Sequence, residues 1–134
     1  PASIEKERRK QAIQIYRKYL KSLMNYVDKT FTLINSIAPI KDLPEIEPTR
    51  IYLKLKSLDN LSKQRNSKFY KQSYNAELRQ IARDFFTFVR GYIEHMLSLQ
   101  DWQLEEYGFG DRAFWKRQYK SLERQKNHWL NHMP

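Results

Sequence analysis

The sequence predicts an all-α protein, a bundle of four to five helices that begins with a long N-terminal helix. Only three of its 134 residues are glycine, and the five prolines lie at or near the termini or between residues 39 and 48. Apolar residues recur at steps of three and four over long stretches, which is the helical period. Few helix breakers favour helices over a many-turned β fold. The length predicts a single domain over residues 1–134.

The first helix is predicted over residues 4–37. Its apolar stripe consists of Ile13, Tyr16, Leu20, Leu23, Val27, Phe31 and Ile34. Ser3 is a candidate N-cap, and Pro39 is expected to end the helix because proline disfavours a helical conformation in the residue before it. A helix of this length is long for a globular protein, so a bundle or a partner surface is indicated.

A linker and a second helix are predicted next. Residues 38–49 contain three prolines and three acidic residues, and they are interpreted as an acidic linker. Residues 51–56 alternate like a strand, yet Ile51, Leu55, Leu58 and Leu61 fit a helix equally well. A lone strand would have nothing to pair with, so we predict a helix over residues 50–65.

The second half of the chain is predicted to contain the core of the bundle. Residues 66–74 are interpreted as a basic, aromatic turn, and residues 75–99 form a helix with the broadest apolar face and no net charge. That helix is expected to be the central core helix. Asp101 is a candidate cap for a short turn that ends at Gly108, and Asp111 for a last helix that ends near His132.

The positive charge is concentrated in two segments. The net charge is +10, of which +5 falls in residues 1–37 and +6 in residues 50–74. Residues 38–49 carry −2, residues 75–100 are balanced, and residues 101–134 carry +1. A concentrated basic excess indicates a polyanionic partner. Nucleic acid is the first candidate partner, and an anionic membrane surface is the second.

Several classes of protein are excluded by composition. The absence of cysteine excludes a disulfide scaffold, thiolate catalysis and cysteine-ligated metal sites. No stretch approaches 18 apolar residues and no signal-peptide pattern begins the chain, so a cytoplasmic protein without a membrane span is expected. No glycine-rich phosphate loop, nucleophile motif or acidic cluster is present, which predicts no enzyme activity, cofactor or metal.

Three groups of cations are the candidate phosphate-binding residues. In the first helix, the cations lie within about 60° and have no carboxylate at i±3 or i±4 between Lys10 and Lys21. In the second group, Phe69, Tyr70 and Tyr74 are candidates to stack on bases or to anchor the turn to the core. In the third, Asp111 and Glu123 are expected to neutralise part of the charge, so binding and plain solvation both remain open. The residues are Lys6, Lys10, Arg17 and Lys21; Lys54, Lys56, Lys63, Arg65, Lys68 and Lys71; and Lys116, Arg117, Lys120 and Arg124.

Two histidine patterns suggest other chemistry. Arg90 precedes His95 with four residues between them, which resembles the catalytic pair of the HEPN family of helical ribonucleases. That resemblance implies a metal-independent ribonuclease in which His95 acts on the ribose 2′-hydroxyl and Arg90 holds the phosphate. His128 and His132 have the i, i+4 spacing of metal ligands but lack a third ligand nearby, so no metal site is predicted.

Two longer stretches carry a second resemblance. RNSKFYKQSYNAELRQIARDFFTFVRGYIEHM at 65–96 and YGFGDRAFWKRQYKSLERQ at 107–125 lie in a basic, cysteine-free helical chain with a long first helix. This pattern resembles the small subunits of CRISPR effector complexes and the helical C-terminal region of the type I-D large subunit. The resemblance implies a non-catalytic subunit that contacts the displaced DNA strand or the guide RNA–DNA duplex, beside other subunits and further copies of itself.

Overall fold

Five α-helices make up the described parts of the chain. A computed structural model describes residues 2–37, 46–63 and 73–132, and these ranges contain no strand. The helices are α1 (Ala2–Ile37), α2 (Ile46–Lys63), α3 (Ser73–Ser98), α4 (Asp101–Tyr107) and α5 (Arg112–His132). The prediction of an all-α bundle with a long N-terminal helix is confirmed.

Consecutive long helices run antiparallel. The Tyr52 hydroxyl at the start of α2 donates a hydrogen bond of 3.3 Å to Asp28 Oδ1 near the end of α1. Arg112 at the start of α5 bonds the carbonyl oxygen of Leu97 at the end of α3. Further along, the rings of Tyr19 in α1 and Trp129 in α5 meet edge to face at 5.8 Å. The helix α1 therefore contacts α2 and, through the side chain of Tyr19, also touches α5.

The core is centred on α3, as its apolar face predicted. This helix supplies more of the buried side chains than any other helix, and Phe85 is fully buried. Phe31 of α1 packs edge to face on Phe85 with ring centroids 5.4 Å apart, and Tyr26 does the same at 5.7 Å. Such aromatic pairs add to the stabilisation from buried apolar area.

The ends of α4 and α5 are set by local hydrogen bonds. Asp111 Oδ1 accepts a bond of 2.7 Å from the Phe114 amide, which confirms Asp111 as a cap. Asp101 is not a cap, because Gln100 holds that position and its amide donates to Gln103 Oε1 at 2.8 Å. Asp101 lies instead in the first turn, where the helix dipole favours an acid. Gly108 ends α4 with φ of 68°, a conformation that favours glycine.

Three predicted boundaries were wrong by a few residues. Ser3 lies inside α1, which begins at Ala2, so it is not the N-cap. The helix α2 begins at Ile46, inside the predicted linker, because Pro48 falls in the first turn, where its missing N–H costs nothing. Likewise, α3 begins at Ser73, inside the predicted turn. The rest of that linker and turn, residues 38–45 and 66–72, lies outside the described residues, whereas the helical interpretation of residues 50–63 is confirmed.

Arg112 fastens the end of α3 to the start of α5. Its guanidinium donates to the carbonyl oxygens of Leu97 at 2.7 Å and Leu99 at 2.6 Å. It also forms an ion pair with Asp101 at 2.9 Å. The last carbonyls of a helix lack partners within the helix, so a charged donor there satisfies groups that otherwise need water. This single side chain therefore links the first turn of α5 to the C-terminal end of α3.

Candidate nucleic-acid interface

The net charge differs more from helix to helix than it does between the sequence segments compared above. The helix α1 carries eight Lys/Arg and three Asp/Glu, and α5 carries six and one. The helix α3 is balanced at three and three. Residues 99–111, which include α4, contain four acidic residues and no basic one. Among the described helices, the excess therefore belongs to α1 and α5, with a smaller share on α2.

The predicted cations of α1 are mostly free of carboxylate partners. Lys6, Lys10 and Lys21 are exposed, while Arg17 is half-buried. The Nε atom of Arg17 is shielded from solvent and has no hydrogen-bond partner in the described part of the chain. Within those same described ranges, none of the four has a carboxylate oxygen within the 4.0 Å of an ion pair. Three of the four are thus available to a phosphate, and Arg17 is less so.

The first turns of α1 extend beyond the core. All side chains of residues 3–12 are exposed, and Tyr16 is the first side chain of α1 in the buried core. We call residues 3–12 the N-terminal extension. It places Lys6 and Lys10 on a helical segment that is accessible from all sides, and its length is about 15 Å at 1.5 Å per residue.

The cations predicted on α2 fall on two different sides of that helix. Lys56 and Lys63 lie within about 40° of Tyr52, on the side that contacts α1. Lys54 lies on the opposite side, in a groove shared with Glu77 of α3. Lys63 forms an ion pair of 3.1 Å with the largely buried Asp59. The structure therefore brings Lys56 and a partly neutralised Lys63 beside α1 and separates Lys54 from them.

The α2–α1 contact also includes a perturbed tyrosine. Partial burial raises the pKa of Tyr52 to about 12, and the charge of Asp28 and the hydrogen bond to it act in the same direction. The neutral hydroxyl donates to Asp28, so this carboxylate is satisfied within the fold. Asp28 is the only acidic residue of α1 outside the N-terminal extension.

The four cations predicted on α5 share its exposed face. Lys116, Arg117, Lys120 and Arg124 are all exposed and span about 100° around the helix. The two acidic residues expected to neutralise part of this charge form no ion pair with these four cations. The Glu123 carboxylate lies 3.8 Å from Arg90 of α3, and Asp111 accepts the Phe114 amide. The four cations therefore have no carboxylate within ion-pair distance among the described residues.

A groove joins α1 to α5 on this basic side. It has a volume of about 480 Å³, and its lining includes no carboxylate. Its residues are Ile15, Lys18, Tyr19, Ser22, His128 and Trp129. The exposed Lys18 and Lys29 of α1 were missed by the sequence analysis, which followed one narrow stripe. A count of every cation on the solvent side of the helix would have found both.

The outer face of α3 contrasts with this surface. Arg90 forms an ion pair with Glu94 at 3.1 Å, and Gln80 donates to Asp84 at 2.9 Å. The hydrogen bond to Glu94 raises the pKa of Arg90 further above its usual value, with smaller contributions from Tyr119 and Glu123. The Arg90–Glu94 ion pair and the Gln80–Asp84 hydrogen bond both have the i, i+4 spacing of an ordinary solvated helix.

The two histidine patterns also have a definite geometry. His95 is exposed and lies about 140° around α3 from Arg90, so the two side chains point in different directions. The rings of His128 and His132 stack with centroids 4.6 Å apart, and His132 Nδ1 lies 2.8 Å from the carbonyl oxygen of His128. In the ranges that the structure describes, no group of three or more His, Asp or Glu side chains is placed to hold a metal ion.

Three predicted cations, Arg65, Lys68 and Lys71, lie outside the described residues, as do the side chains of Phe69, Tyr70 and Tyr74. No helix in the described ranges is both long and apolar enough to cross a membrane. Comparisons with family models, curated proteins and solved structures give no match to this chain.

Proposed function

We propose that this protein binds the phosphate backbone of single-stranded nucleic acid without reading its sequence. The observation that carries the proposal is the separation of charge between helices. The seven exposed cations that were predicted on α1 and α5 have no carboxylate within ion-pair distance among the described residues, whereas α3 is electrically balanced. The two basic helices also meet, since Tyr19 and Trp129 are in contact.

The binding mechanism follows from the chemistry of these side chains. Lysine and arginine on the two helices neutralise phosphates, and the condensed counterions that leave the strand supply the favourable free energy. Contacts to phosphate carry no sequence information, so affinity is expected to depend on strand length and salt rather than on base order.

The proposal is of a binding protein rather than an enzyme. Its support is the state of Arg90, which is held by Glu94 and lies over the ring of Tyr119 at 5.7 Å. A guanidinium engaged in this way is a structural ion pair rather than a free phosphate ligand.

The cellular setting that we propose is a cytoplasmic, RNA-guided defence complex. Its support is the resemblance of residues 65–96 and 107–125 to CRISPR small subunits, together with the basic face that such a subunit needs. In that setting the protein holds the displaced DNA strand or the guide–target duplex through the backbone, beside other subunits and further copies of itself, and base pairing reads the sequence.

The test compares three variants that all lower the net charge by two. Lys10→Gln/Lys21→Gln removes cations from α1, and Arg117→Gln/Arg124→Gln removes them from α5. The control, Arg83→Glu, changes an exposed residue of the balanced helix α3. Arg17 is left unchanged because its Nε atom is buried and its loss would disturb packing.

The affinity of each protein for a short single-stranded oligonucleotide is measured from 50 to 300 mM salt. Each lost phosphate contact is expected to reduce the slope of log K against log salt by about 0.7, so the two double variants should lose about 1.4 each. The slope for Arg83→Glu should equal that of the wild type. Equal losses in all three variants would mean that overall charge, not this surface, governs binding.

A further inference from the structure

The groove between α1 and α5 combines apolar walls with basic edges. Trp129 is almost fully buried and Tyr19 is half-buried, and together they form the floor. Ile15 forms a wall and is 50% exposed, which is unusual for a large aliphatic side chain beside a core. Lys18 and His128 stand at the edges. A ligand with a flat apolar part and an attached anionic group is complementary to this arrangement.

We infer that this groove receives one unpaired base of the bound strand, and the inference rests on the proposed function. An aromatic and aliphatic surface gains from burying a base face, because every base has one whatever its identity. The phosphate attached to that nucleotide then lies near Lys18 and His128. The protein thus distinguishes single strands from duplexes, in which the bases are already stacked and paired.

The surroundings of the groove support a nucleic-acid strand as its occupant. Arg117, Arg124 and His128 follow one another along α5 within about 40° of a single line, so they form a row that leads into the groove. Lys18 and Lys29 are exposed on the facing helix. The groove lining contains no carboxylate, and the acidic residues of α1 and α5 next to it are engaged elsewhere. A negatively charged chain is complementary to such a path.

The test separates base binding from phosphate binding. Affinity is measured for a ten-residue oligothymidylate and for an abasic strand with the same number of phosphates. The variant Ser22→Glu places a carboxylate inside the groove at an exposed position. Its matched control is Thr87→Glu, which makes the same change of charge at an exposed position of α3.

The wild type is expected to bind oligothymidylate at least about fivefold more tightly than the abasic strand. Ser22→Glu should lose that ratio, and Thr87→Glu should keep it. A 4-thiothymidine in the strand should cross-link to the segment around Trp129. Equal affinity of the wild type for both strands, or cross-links confined to other segments, would overturn the inference while leaving phosphate binding intact. A lack of salt-dependent binding to either strand would overturn the proposed function itself.

Discussion

The helices α3 and α5 are both amphipathic and contain arginine, but α3 is electrically balanced whereas α5 carries a strong positive charge. The two helices pack against each other. On α3, each cation has an acidic residue on the same helix to offset it, and Arg90 is paired with Glu94. On α5, the one acidic residue, Glu123, faces Arg90 instead of the neighbouring lysines.

The difference shows that the orientation of the neighbouring carboxylates decides whether a row of cations remains unpaired and able to bind an anion. One acidic side chain that turns toward the neighbouring helix satisfies a cation there and leaves its own helix uncompensated. Arg90 of α3 therefore lies near two carboxylates, whereas Lys120 of α5 has none within ion-pair distance among the described residues. Three variants test this comparison.

The largest effect is expected from Arg112, the one cation of α5 that holds the fold together. Arg112→Met removes its hydrogen bonds to the carbonyl oxygens of Leu97 in α3 and of Leu99 just after it, and its ion pair with Asp101. We expect the free energy of unfolding to fall by about 3 kcal/mol, measured by urea denaturation. Arg124→Gln on the exposed face of the same helix serves as the control and should leave stability within about 0.5 kcal/mol. Equal losses would mean that the α5 cations do not divide into structural and free ones.

A smaller gain is expected from Gly91 on α3. A Cβ added there would meet no atom within 4 Å, so alanine fits without strain. Gly91→Ala should raise the free energy of unfolding by about 0.5–1 kcal/mol, because glycine loses more conformational freedom in a helix. Thermal denaturation measures the gain. Affinity for oligonucleotides should not change, and a loss of binding would place α3 in the interface.

The smallest effect is expected when α3 is made to resemble α5. Asp84→Asn/Glu94→Gln removes two acidic charges from α3 and leaves Arg83 and Arg90 less compensated. Affinity for single strands at low salt should rise by only about twofold, since the added charge acts at a distance and is screened. A gain in affinity as large as the loss in affinity of Arg117→Gln/Arg124→Gln would show that the position of the charges on the fold is unimportant.

The sequence predicted the core well and the charge surface only in part. The period of apolar residues identified α3 as the central helix and located the stripe of α1, because burial depends on a repeating pattern. The net charge of +1 over residues 101–134 is the sum of a strongly acidic segment and the strongly basic helix α5 that follows it. Asp111 and Glu123 form no ion pair with the four predicted cations of α5, because their contacts depend on capping and on packing against α3. The placement of Lys54 away from α1 also depends on packing, which spacing alone does not reveal.

The N-terminal extension of α1 has a consequence for how a strand would be engaged. Its ten residues bury no side chain, so their helical state depends on intrinsic propensity and on the pair of Arg9 with Glu5 at 3.8 Å. An isolated helix of that length is marginal in water, so the helix–coil equilibrium of the extension depends on its continuation into the packed part of α1. Phosphates beside Lys6 and Lys10 would relieve the repulsion among its cations and shift that equilibrium toward helix. Ordering of this segment would then accompany capture of the strand.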